Sequence, residues 1–287
     1  MINLDWYQAT FHDSNHELML PLIHSFFVFQ NPAIRLDFNT PQYVPGFQNS
    51  VALMESETES VCLVAWDNSK NRVHIKATGA HARGLDDYLQ KYSPHVSRVD
   101  LAIDISGAQM FDRIYRPAAR FISENKLNYK QVGKWATKEE RTLYVGSAKS
   151  RVQVRIYEKG HEQIAKGNLN ADPDWVRVEI QIRPGSKEKG IVGQMSLDKI
   201  LSSAGWATDF INAIGVAEIH KNQSFRAPKR TITDTMKKRI WFARTYGQFL
   251  SDWVSDAGSL EACFTEMVDL YDQKKTEQPV IPEPCPF

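Results

Sequence analysis

The chain has 287 residues, 42% hydrophobic and 24% charged, with 35 Lys+Arg against 34 Asp+Glu for a net charge of +1. That length suits two modest domains or one large domain with an appendage, and the composition excludes a disordered or fibrous chain. No apolar run approaches the ~18 residues of a membrane span, no basic-then-apolar leader is present, and Cys62, Cys263 and Cys285 are too scattered for a disulfide framework or a zinc site, so a cytoplasmic location with reduced thiols is expected.

In chain order, Leu4 to Phe11 reads as an opening strand, and Val51 to Glu55, Cys62 to Trp66 and Val73 to Thr78 as a meander joined by the polar turns "SETES" and "DNSKN". Gly84 precedes a short helix, "LDDYLQKY". Ser97 to Ile105, Gln153 to Lys159 and Trp175 to Arg183 are the strongest strands, and a weaker one at Arg141 to Gly146 pairs with the second of these through the "SAKS" turn. Met110 to Asn125 is helical in pattern, with a break expected at Pro117 because proline inside a helix costs ~3 kcal/mol. Leu197 to Ile214, Thr233 to Ser255 and Leu260 to Tyr271 carry helical spacing, and Ile240, Trp241, Tyr246, Phe249, Leu250 and Trp253 fall on one side of the second of them. The segment "HKNQSFRAPKR" links strand-rich and helical parts, and the proline-rich tail from Thr276 reads as disordered. The expected fold is α+β, an antiparallel-rich sheet with helices on one face and an open charged face, followed by a C-terminal helical region. The boundaries fall at residues 1–220, 221–275 and 276–287.

Charge is unevenly distributed. Arg113 to Gly190 holds 17 Lys+Arg against 9 Asp+Glu, while the remainder holds 18 against 25. A basic middle in a near-neutral protein suits a polyanionic partner, and equally suits a merely solvated surface.

Strand alternation carries the chemistry. Side chains along a strand point to opposite faces with period two. Val99, Leu101, Ile103 and Ile105 oppose Arg98, Asp100, Ala102 and Asp104; Val152, Val154 and Ile156 oppose Arg155, Tyr157 and Lys159; and Val176, Val178, Ile180 and Ile182 oppose Arg177, Glu179, Gln181 and Arg183. Each strand thus has an aliphatic face and a face of acids, guanidinium groups and one phenol. That inventory serves phosphoryl transfer: a carboxylate-bound Mg²⁺ or Mn²⁺, arginines that neutralise phosphate, and a tyrosine that attacks. An ion-pair ladder between adjacent strands accounts for the same pattern equally well. Asp100 and Asp104 lie ~13 Å apart along a strand, too far to share one ion, so one of them, Asp100 preferred, joins Glu179 as the candidate metal pair. Arg155 and Lys159 flank Tyr157 and are expected to stabilise its phenolate and attract the scissile phosphate. Tyr144, in "TLYVGS", is the rival nucleophile, and His161 is a base, a ligand or a solvated turn residue. Arg98, Arg177, Arg183, Arg151, Lys149 and Lys134 are candidate contacts for a polyanionic partner. The stretch Lys126 to Lys138, with Tyr129 and Trp135, either grips a strand or forms a surface loop.

"LDWYQATF", "RVDLAID", "LYVGS", "RIYEKG" and "WVRVEIQIR", in that order, resemble the replication initiation factor family, over roughly residues 2 to 250. That family includes initiators of filamentous phages, trans-acting initiators of rolling-circle plasmids and relaxases of integrative elements; the phage type is most similar in length and N-terminal form. The resemblance implies a metal-dependent nicking and joining enzyme. It would cut one origin strand, retain the 5′ phosphate on a tyrosine and leave a 3′-OH to prime a host polymerase. The tyrosine of the family's "IYEK"-type motif corresponds to Tyr157, and its acidic residues correspond to Asp100 or Asp104 and Glu179. Implied partners are origin DNA with a single-stranded or hairpin nick site, host helicase, single-strand-binding protein and DNA polymerase, and a second copy of the chain. The His-hydrophobic-His metal motif of many rolling-circle nucleases is absent; "HDSNH" and "GAHARG" have other spacings. Two further readings stand beside this one: an origin-binding protein or repressor without catalysis, and a primase-like nucleotidyltransferase, which would want an acid where Ala102 stands.

Overall fold

The computed structural model describes residues 2–39, 42–219 and 234–276. The chain divides into two compact units, residues 1–227 and 228–287. In the first unit the strands are β1 (Ile2–Phe11), β2 (Arg35–Asp37), β3 (Asn49–Met54), β4 (Ser60–Asp67), β5 (Arg72–Thr78), β6 (His95–Ile105), β7 (Tyr129–Lys134), β8 (Glu139–Val145), β9 (Val152–Glu158) and β10 (Val176–Ile182). They form one sheet in the order β2-β3-β4-β5-β1-β6-β10-β9-β8-β7. Its pairings are antiparallel throughout. The helices are α1 (His16–Gln30), α2 (Leu85–Gln90), α3 (Met110–Glu124), α4 (Lys159–Ala165), α5 (Lys189–Gly193), α6 (Leu197–Ser202) and α7 (Trp206–Ala213). The fold is α+β, as the alternation of apolar and charged positions requires.

The core lies on the aliphatic side of the sheet. Val154, Ile156, Val178, Ile180, Leu101 and Val99 are fully buried there, together with Ile114 and Ala118 of α3, Phe210 and Ile211 of α7, and Ile23 and Phe27 of α1. Three local expectations are corrected. Helix α3 runs unbroken through Pro117. Its buried stripe Phe111, Ile114, Ala118 and Ile122 continues past the proline, and burying it at ~1.5–3 kcal/mol per large side chain outweighs the proline's cost. Strand β9 ends at Glu158, so Lys159 starts α4 instead of extending the charged strand face, and His161 is helical rather than in a turn. Helix α1 was not anticipated: "HELMLPLIHSFFVFQ" is apolar nearly all round and interrupted by Pro21, so no period marks it, although Asn15 caps it by accepting from the Glu17 N–H at 2.9 Å. The basic stretch around residue 130 is a strand, β7, which forms the exposed edge of the sheet and pairs with β8.

The second unit is an α-helical pair, α8 (Asp234–Ala257) and α9 (Leu260–Thr276). Trp253 of α8 donates to Glu266 of α9 at 2.8 Å, and its ring meets that of Phe249 in a tilted contact at 5.6 Å. Trp241 and Phe249, two of the apolar residues read on one side of α8, are 60% exposed. The side chain of Ile240, the linking segment 220–230 and the tail 277–287 lie outside the described residues. Among the described residues no helix is long and apolar enough to cross a membrane.

Candidate active site

Register brings the charged residues of β6, β10 and β9 together. Arg177 of β10 lies opposite Asp104 on one side and Tyr157 on the other; Glu179 lies opposite Ala102 and Arg155; Gln181 lies opposite Asp100 and Gln153. On β8, Thr142 stands opposite Tyr157 and Tyr144 opposite Arg155. A β-bulge between Leu4 and Trp6 aims the Asp5 carboxylate at this face, where it accepts from Arg177 Nη1 at 2.8 Å.

Tyr157 is 9% exposed and its hydroxyl donates to Glu179 Oε1 at 2.5 Å. The other oxygen of Glu179 accepts from Arg155. Burial first, then the charge and hydrogen bond of Glu179, hold the phenol far above its ordinary value of 10.0, against an opposing pull from Arg177. The flanking cations therefore do not yield a resting phenolate. Arg155 spends its charge on Glu179, and its guanidinium and the Lys159 ammonium stand 5.0 and 5.6 Å from the Tyr157 ring centroid. What the arrangement supplies instead is a protonated nucleophile hydrogen-bonded to a carboxylate that can receive its proton.

The other acids are equally engaged. Asp100, 3% exposed, receives both Nε and Nη2 of Arg98 at 2.8 and 2.5 Å and the Gln181 amide at 3.3 Å. Asp104 receives Arg177 Nε at 2.7 Å and the Trp175 indole at 2.8 Å. Cross-strand ion pairing is thus present alongside the tyrosine–carboxylate pair. Among the described residues no three His, Cys, Asp or Glu side chains converge as a metal site. Asp100 and Glu179 do share a void of about 30 Å³ with Gln153 and Gln181, whereas Asp104 is directed to Arg177. Two carboxylates and two carboxamides supply oxygen donors of the kind Mg²⁺ and Mn²⁺ take, but Arg155 and Tyr144 share the wall of this void, and an ion there would have to displace the Arg98–Asp100 and Arg155–Glu179 pairs.

Tyr157 opens into a cleft of about 620 Å³ bordered by Trp6, Arg141, Tyr144, Arg155, Lys159, His161 and Glu179. Of the candidate DNA contacts, Arg177 is buried between Asp104 and Asp5, Arg98 chelates Asp100 with its guanidinium 4.0 Å from the Trp6 ring centroid, Arg151 pairs with Glu188, and Arg183 donates to the Ala148 carbonyl. Lys134 is exposed and bonds Glu140 at 3.0 Å, and Lys149 lies exposed in the turn before β9. Sequence reasoning missed Asp5, and it missed Arg141 and Glu158. Arg141 is buried, donates to Glu158 through its backbone N–H and its guanidinium, binds Asp112 of α3 at 2.7 Å and lies over the Phe111 ring. Asp5 follows only from a bulge, and Arg141 and Glu158 only from the β8–β9 register.

The solved structure of a rolling circle replication initiator protein from Geobacillus stearothermophilus shares this fold, with a TM-score of 0.50 at 19% identity over 83% of this chain and 90% of that one. No curated protein matches. The family model described as replication initiation factor matches residues 94–241, a span that includes β6 to β10 and so Asp100, Tyr144, Tyr157 and Glu179. The chain belongs to the replication initiation factor family.

Proposed function

We propose that the protein is a rolling-circle replication initiator that nicks one strand of its origin with Tyr157. The observation that carries this reading is the buried hydrogen bond from the Tyr157 hydroxyl to Glu179, at the edge of a cleft large enough for a nucleotide. Tyr157 Oη attacks the scissile phosphorus while its proton passes to Glu179. The new P–O bond forms as the P–O3′ bond breaks, and the 3′ oxygen leaves with a proton from solvent, giving a 5′-phosphotyrosyl adduct and a free 3′-OH. Arg155 and Lys159 border the cleft and would neutralise charge on the phosphate by exchanging their bonds to Glu179 and Glu162 for bonds to it. Asp100 and Glu179, with the carboxamides of Gln153 and Gln181, are the groups that would hold Mg²⁺ or Mn²⁺, which when bound supplies further neutralisation of the phosphate. Reversal of the same step rejoins strands.

Residues 1–220 carry nicking in this reading and 221–275 a helical accessory region, with host helicase, single-strand-binding protein and polymerase acting after the 3′ end is exposed. Incubating the full chain and a Tyr157→Phe variant with origin DNA and Mg²⁺, then mapping adducts by mass spectrometry, tests it. The wild type gives a DNA adduct on Tyr157, and Tyr157→Phe gives neither nick nor adduct. An adduct on another residue, or retarded bands with no nick at all, would replace this reading with a different nucleophile or with non-catalytic origin binding.

A further inference from the structure

Tyr144 has no part in the reaction above, yet it borders three spaces at once. It lines the catalytic cleft, the small void beside Asp100 and Glu179, and a separate recess of about 630 Å³ whose walls include Lys130, Val132, Gly146 and Gln153. Its ring is half-buried on β8, and its cross-strand row runs Lys130, Tyr144, Arg155, Glu179 from the sheet edge to the catalytic carboxylate. Thr142, two residues away on the same strand, is the position directly opposite Tyr157. One strand spacing across and two residues along puts the Tyr144 and Tyr157 Cα atoms roughly 8 Å apart on the same face. The wall of the recess beyond Tyr144 holds one cation, Lys130, exposed on β7, and Lys149 is exposed in the turn before β9, next in sequence to the wall residues Ser147 and Ala148.

An aromatic ring beside the scissile position, continuing into a groove with cations in and beside its wall, is the apparatus that holds unpaired nucleotides. The cations follow the phosphates and the ring takes a base face, which a base can offer only when it is out of a duplex. We infer that Tyr144 is the stacking platform for the base next to the scissile phosphate, and that the recess between Lys130 and Gln153 is the track along which single-stranded DNA leaves Tyr157. This inference rests on the nicking reading only for the direction of the track. It makes Tyr144 a positioning residue whose ring matters and whose hydroxyl does not.

The test measures binding of an oligothymidylate about twenty nucleotides long to the full chain carrying Tyr157→Phe, which removes turnover, by fluorescence anisotropy. Tyr144→Ala is expected to weaken binding about 5- to 150-fold, while Tyr144→Phe and Tyr144→Trp bind as the parent does. Photocrosslinking with 5-iodouracil scanned along the oligonucleotide is expected to label Tyr144 from one position, and an abasic site at that position is expected to abolish the difference between parent and Tyr144→Ala. Should Tyr144→Ala melt early, the crosslink and the abasic scan on the parent decide. Unchanged binding by a folded Tyr144→Ala, a Tyr144→Phe variant as weak as Tyr144→Ala, or the absence of any crosslink to Tyr144 overturns the inference. Loss of the nicking reading looks different: no tyrosyl adduct forms on origin DNA, yet the Tyr144 binding difference persists.

Discussion

The two wings of the sheet differ in chemistry: one is mainly aliphatic, the other carries a row of paired charges. In the wing β3-β4-β5 most side chains are buried, and the interior is Val51, Leu53, Val64, Val73 and Ile75, with His74 bonded to Thr10 and Gln8 and a single buried carboxylate, Asp67, paired with Arg72. In the wing β6-β10-β9-β8 the second buried face holds guanidinium–carboxylate pairs: Arg98 with Asp100, Arg177 with Asp104 and Asp5, Arg155 with Glu179, and Arg141 with Glu158. A hydrophobic replacement would be as stable or more so, since the desolvation of buried charges rivals their attraction. The second wing is therefore not optimised for stability. Under the proposed nicking reaction, it keeps charge in place where a phosphate would be handled.

The comparison can be broken most severely at Glu179. Glu179→Gln removes the proton acceptor while keeping the shape, and nicking is expected to fall about 10²- to 10⁴-fold in a single-turnover assay. The same variant loses the carboxylate that, after burial, raises the Tyr157 phenol, so absorbance at 295 nm should show one tyrosine ionising at lower pH than in the wild type. An unchanged rate with an unchanged titration would remove Glu179 from the chemistry.

Arg141→Ala tests whether the pairs are interdependent. It strands buried Glu158 and frees Asp112, whose acidity is otherwise kept high by Arg141 and Lys138 in spite of burial. A loss of about 3–5 kcal/mol is expected, a fall in Tm of roughly 6–20 °C by thermal melting. Adding Glu158→Gln should recover part of it, as a double-mutant cycle would measure.

The aliphatic wing responds to acid instead. Burial, then the charges of Lys76 and Lys189, lower His74 from 6.5 to about 4. A lowered histidine favours the native state while neutral. Its contribution is complete above about pH 6.5 and is lost as pH falls toward 4, on the order of 2–3 kcal/mol in urea titrations, and His74→Gln should flatten that window. The smallest effect is expected at the rim of the DNA track: Lys149→Ala should reduce the salt slope of single-strand binding by about 0.7, with the melting temperature unchanged.

Periodicity made the second wing legible. Val99 through Ile105, Val154 with Ile156 and Val176 through Ile182 alternate cleanly with charged residues, and the structure keeps that division. Pairing order was not legible, because alternation assigns a residue to a face and not to a neighbour. That Glu179 meets Tyr157 and Arg155, while Arg177 meets Asp104, is fixed by β10 lying between β6 and β9. The unbroken passage of α3 through Pro117 and the existence of α1 were invisible to local rules, since continuous burial decides the first and an unpatterned apolar segment conceals the second. Lys159 was misplaced because nothing in "RIYEKG" marks the change from strand to helix at Glu158.

The position of β1 has a consequence for how the protein comes into being. Strand β1 lies mid-sheet, between β5 and β6, and its bulged Asp5 must wait for Arg177, 172 residues later, to complete their contact. Such long sequence separations slow folding, because loop closure is completed before the contacts that reward it form. A ribosome-bound chain that has emerged only through β9 has Tyr157 but no Glu179 beside it. The site is thus complete only once β10, the last strand of the sheet, is made, and a chain synthesised only through β9 holds the phenol without its carboxylate.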